Sequence, residues 1–116
     1  MDKQEQLMKG LGESVRRIME KLEGDFGWLQ EIRMRIGAPL FVIYRGEEYA
    51  VTKQGQLRKD TAKAYRITRQ DLKETVELIS SYSMYAYEEE LRQGYITIAG
   101  GHRIGMAGKI IMDGRH

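Results

Sequence analysis

Residues 92–108, "RQGYITIAGGHRIGMAG", gather the side chains best suited to chemistry in this 116-residue chain. His102 and Arg103 follow directly on the glycine pair Gly100-Gly101. Glycines beside basic side chains are one way to cradle a phosphate, and a histidine beside a turn is one way to move a proton. The phosphate reading fails on spacing. A phosphate loop ends in Gly-Lys-Ser/Thr and opens a helix, whereas Gly108-Lys109 runs into Ile110 and a β-branched, strand-like continuation. Arg103 also stands where the first glycine of such a loop belongs. The proton reading lacks partners. There is no cysteine to activate, and Ser80, Ser81 and Ser83 are not on a strand-to-helix elbow. Glu88, Glu89 and Glu90 read as a solvated helix face. No catalytic residue and no metal site is therefore assigned to this chain.

The elements that must hold this stretch follow from periodicity. Ile96 and Ile98 alternate with Thr97 and Ala99, which predicts a strand over 95–99. Gly100-Gly101 is a two-residue turn, with His102 at its exit, and a second strand is expected over 103–112. Gly105 and Gly108 inside that strand mark a bulge or a close backbone approach. Upstream, Leu7, Leu11, Val15, Ile18 and Leu22 predict one amphipathic helix over 4–22. "EIRMRIG" switches to period two, with Ile32, Met34 and Ile36 on one side and Glu31, Arg33 and Arg35 on the other. Strands are expected over 31–36, 40–44 and 48–52, and "KQGQLRKDTAKA" (53–64) reads as a surface loop. "YRIT" reads as a short strand leading to Thr68, which has Asp71 three residues on, a capping box with Asp in place of Glu. Helices are expected over 69–80 and 84–93. The fold class expected is α+β, a mainly antiparallel sheet packed with helices.

Composition narrows the classes. The chain is 41% hydrophobic and 31% charged, which suits a folded domain. Its 19 basic and 17 acidic side chains give a net charge of +2, too balanced to point to nucleic acid. Without cysteine there are no disulfides and no thiolate metal site. No apolar run approaches the ~20 residues of a membrane-spanning helix, and "MDKQEQLMKG" lacks the order of a signal peptide. The expected location is cytoplasmic.

"LISSYSMYAYEEELRQGYITIAGGHRIGMAGKI" resembles the N-terminal region of the stage III sporulation protein AA family of endospore-forming Firmicutes. "EIRMRIGAPL" and "ITRQDLKETVELIS" resemble that family's upstream strand and the helix leading into the motif. The resemblance covers about residues 29–112. One departure is Ala99, where the family more often has proline.

The resemblance implies that residues 1–116 form a single N-terminal domain, PAS-like in its sheet, which in the family precedes a RecA-like ATPase domain. The whole protein would resemble the hexameric motor ATPases of type II and type IV secretion, serving the mother cell–forespore channel. ATP and Mg²⁺ would belong to that whole protein. Implied partners are its own C-terminal ATPase domain, neighbouring subunits and membrane channel proteins, with no nucleic acid; attachment to the membrane would be peripheral, through partners. In such motors, arginines on N-terminal strands reach the nucleotide. Arg103 is the first candidate, followed by Arg33 and Arg35. The alternatives for Arg103 are a local carboxylate partner and a chain that is a docking module for a membrane-anchored partner, with no role in nucleotide chemistry.

Overall fold

A computed structural model describes residues 3–79 and 92–99. Alternating apolar residues build a five-stranded antiparallel sheet. Its strands are β1 (Leu29–Arg35), β2 (Phe41–Tyr44), β3 (Glu47–Val51), β4 (Leu57–Arg58) and β5 (Tyr95–Ala99), in the order β4-β3-β2-β1-β5. The helices are α1 (Lys3–Lys9), α2 (Glu13–Glu20) and α3 (Arg69–Ile79), and a 3₁₀ turn at Phe26–Trp28 feeds β1. The α+β class with a mainly antiparallel sheet is as expected.

Register divides the sheet into two faces. Ile32 pairs with Val42 and Ile98, and Met34 pairs with Ile96. All of these are buried together with Leu7, Leu11, Val15, Ile18, Leu72 and Val76 of the helical layer. Burying each large aliphatic side chain contributes roughly 1.5–3 kcal/mol.

The expected single helix over 4–22 is two helices. Gly10 and Leu11 close the first with N–H bonds to the carbonyls of Leu7 and Met8, and Gly12 starts the second. The buried stripe of Leu7, Leu11 and Val15 persists across the break, so periodicity alone does not reveal it. Gly12 has no side chain to cap α2. Its N–H donates to Thr75 Oγ1 (2.9 Å), and the Glu13 N–H donates to Glu74 Oε1 (3.2 Å). A Cβ on Gly12 would lie 2.9 Å from Glu74 Cβ. The missing side chain lets α2 come close enough for α3 to satisfy its first N–H groups.

The loop expected over 53–64 contains the short strand β4, too polar to show alternation. "YRIT" is not a full strand. Pro39 bridges Arg66 and Thr52 bridges Ala64. The capping box is present: the Thr68 N–H donates to Asp71 Oδ2 (2.9 Å) and the Asp71 N–H to Thr68 Oγ1 (3.0 Å). The Tyr65 hydroxyl donates to the same Asp71 oxygen at 2.5 Å. Burial, then this bond, push Tyr65 up to about 12. The expected strand over 103–112, and the expected helix over 84–93 apart from Arg92 and Gln93, lie outside the described residues.

Two predictions follow from these positions. Gly46 and Gly55 both have positive φ, 80° and 83°. A Cβ on Gly46 meets nothing within 4 Å, whereas one on Gly55 would lie 2.5 Å from the Lys21 carbonyl oxygen. Gly46→Ala therefore costs about 1–2 kcal/mol of stability, the left-handed backbone penalty. Gly55→Ala costs at least about 3 kcal/mol, because a backbone clash is added. Urea unfolding of both variants checks the difference, and equal losses would contradict the contact with the end of α2. For Tyr65, the folded value lies above the ordinary value of 10.0. Its stabilisation relative to Tyr65→Phe is full below pH 10 and is lost as pH rises through about 12. Denaturant melts of both proteins between pH 8 and roughly 12 measure this, and a gap constant across that range would contradict it.

Candidate functional site

The face of the sheet turned away from the helices carries the candidate arginines. Pairing places Glu31 beside Ile43 and Ala99, Arg33 beside Phe41 and Thr97, and Arg35 beside Tyr95. Glu48 joins the first row through Ile43, and Ala50 and Arg58 join the second through Phe41. Phe41 and Ile43 are half-buried but lie outside the hydrophobic core cluster. They form an apolar strip on β2, between arginines on β1 and a carboxylate on β3.

Arg33 is engaged. Its Nε lies 3.0 Å from Glu31 Oε2 and its Nη1 3.2 Å from Glu48 Oε2, so the guanidinium spans β2. Arg35 is held differently. Its guanidinium carbon lies 4.5 Å from the centroid of the Tyr95 ring, and no carboxylate pairs with it among the described residues. The negative face of the ring attracts the guanidinium, whose N–H donors can also meet an anion. Sequence reasoning named Arg35 but missed Tyr95, whose role depends on the β1–β5 register. At the β3 end, a hydrogen bond from Lys59 Nζ (2.6 Å) lowers Glu47 below its ordinary value, and the same bond raises Lys59.

Gly100, Gly101, His102 and Arg103 lie outside the described residues. The strand that leads into them is described. β5 forms one edge of the described sheet and ends at Ala99, opposite Glu31. Among the described residues, no group of three or more His, Asp or Glu side chains could hold a metal ion. No helix among them is long and apolar enough to cross a membrane.

Fold and site together define an α+β domain whose antiparallel sheet is covered by helices on one face and presents arginines on the other. The chain belongs to the sporulation stage III, protein AA family, whose model matches residues 1–116. It is 35% identical over 104 residues to the stage III sporulation protein AA of Bacillus subtilis (strain 168). That match covers 89% of this chain and 30% of the relative, so the chain spans less than a third of the relative's length. No solved structure matches it.

The ion pairs of Arg33 are solvent-exposed, and each such pair contributes about 0.2–1 kcal/mol. Arg33→Ala is therefore expected to lower unfolding stability by no more than about 1–2 kcal/mol in low salt, and by less in about 1 M NaCl. Urea melts at the two salt concentrations check this. A salt-independent loss of more than about 3 kcal/mol would contradict it.

Proposed function

We propose that this chain is the N-terminal regulatory and oligomerisation domain of a longer sporulation ATPase, related to the motor ATPases of type II and type IV secretion. Its open sheet face turns toward the remainder of that protein and toward neighbouring subunits. The observation that carries this reading is the half-buried strip of Phe41 and Ile43, outside the core cluster and between Arg33, Arg35 and Glu48, on a sheet whose other face packs against its own helices. The relative's length supports it, because the matched segment is 30% of that protein.

In this reading, ATP with Mg²⁺, held by the remainder of the longer protein, supplies the phosphoryl chemistry. The described residues offer no carboxylate cluster for the metal, and this chain's part is to bring arginine donors. Arg35, with its guanidinium carbon over the Tyr95 ring, has N–H donors that match a phosphate or carboxylate. Arg33, occupied by Glu31 and Glu48, is better suited to fixing the surface than to meeting nucleotide. Arg103 lies just beyond the end of β5 in sequence and remains the candidate for neutralising charge on the transferring phosphoryl group.

Arg103→Ala in the longer protein tests this. An arginine that stabilises the transition state contributes roughly 10³–10⁵-fold to turnover. The expected result is a fall of that order in ATPase rate with an unchanged melting temperature. An unchanged rate, or a loss explained by unfolding, would leave a docking module without a role in nucleotide chemistry.

A further inference from the structure

The corner formed by Trp28, Gln30, Arg45 and two glycines lies away from the arginines of the open face and has features of its own. β2 and β3 are joined by Arg45-Gly46, a two-residue turn with φ of 53° and 80°. Positive φ at both central positions is the type I′ pattern, which favours Asn-Gly or Asp-Gly. Arg45 is the one non-glycine residue with positive φ among the described residues. An arginine kept in a strained position points to a use for its side chain.

The side chain is positioned by its surroundings. The Arg45 N–H donates to the Trp28 carbonyl at 3.1 Å, and the Gly46 N–H donates to Gln30 Oε1. Gln30 is the extra residue of a bulge between Leu29 and Glu31, and a bulge of this kind re-aims a side chain. The guanidinium lies 4.8 Å from the centre of the Trp28 ring system, and Trp28 is 51% exposed. With Gly27 and Gly46, these three side chains line a groove of about 460 Å³. Three exposed donor groups face solvent in it and have no protein acceptor among the described residues: the Arg45 guanidinium, the Gln30 amide nitrogen and the Trp28 indole N–H. The side chains of the lining thus offer donors and an aromatic face, while the acceptor of Gln30 is already taken by Gly46.

We propose that this corner is a recognition site for an acidic peptide segment of a partner protein. A carboxylate of the segment sits in the Arg45 fork, and an adjacent apolar side chain lies against Trp28. The guanidinium fork matches a carboxylate, as it would a phosphate, and the exposed indole face beside it matches an apolar side chain; a peptide segment supplies the carboxylate and the apolar neighbour together. This reading does not depend on the ATPase assignment, since none of these residues belongs to the arginine set of the open face.

The test uses the single tryptophan of the chain as its own reporter. A randomised twelve-residue peptide library is selected on the 116-residue chain. The enriched peptides are then synthesised and titrated against Trp28 fluorescence. The decisive variant is Arg45→Asn, because asparagine suits the turn better than arginine and replaces the guanidinium and its stem with a short uncharged amide. The expected result is enrichment of peptides with Asp or Glu beside an apolar residue, and a change in Trp28 emission on binding. Arg45→Asn, or Asp→Asn in the peptide, then weakens binding by about tenfold or more while the variant melts at or above the parent temperature. Three results would overturn the proposal. They are failure of any acidic peptide to enrich, binding indifferent to Arg45→Asn, and a Trp28 response confined to anionic lipid vesicles or to self-association of the chain.

Discussion

The alternation along β1 governs both faces of the molecule at once. β1 lies between β2 and β5, so each of its side chains is fixed by two neighbours. Ile32 and Met34 go into the core, and Glu31, Arg33 and Arg35 go to the other side. A slip of one residue would bury three charges and expose two core side chains. The cost of burying unpaired charge makes that arrangement untenable, and this fixes the position of the arginines. Their presentation is a consequence of packing the core.

The helical layer tolerates little adjustment on the covered face. α2 borrows Thr75 and Glu74 from α3 for its first N–H groups, across an approach that only glycine allows at position 12. The Asp71 carboxylate caps α3 and receives the Tyr65 hydroxyl, which ties the helix to the segment beside β2 and β3. Among the described residues, the opposite face of the sheet carries Phe41, Ile43 and the β1 arginines outside the core cluster. Functional differences within it follow from local partners. Arg33 is neutralised in place, whereas Arg35 lies over an aromatic ring and keeps its donors.

Much of this was legible in the sequence. Period two in "EIRMRIG" gave the two faces of β1, and Thr68 with Asp71 gave the cap of α3. The break at Gly10–Gly12 was hidden because the apolar stripe continues through it. β4 was hidden because its two residues carry no periodic signal. The Arg35–Tyr95 stack joins residues sixty positions apart, so it depends on a register that composition does not encode. The Trp28–Arg45 corner likewise needs the bulge at Gln30 and a left-handed arginine, neither of which has a local sequence signature.

The central claim is that the open sheet face is a contact surface within the longer protein. Hydroxyl-radical footprinting read by mass spectrometry tests it most directly, because it reports side-chain exposure at Phe41, Ile43 and Tyr95 individually. The oxidation rates of these three residues are compared between the 116-residue chain and the longer protein. The account predicts a several-fold fall at all three in the longer protein, while the exposed side chain of Leu78 on α3 keeps its rate. Equal rates at Phe41, Ile43 and Tyr95 in the two proteins would contradict it.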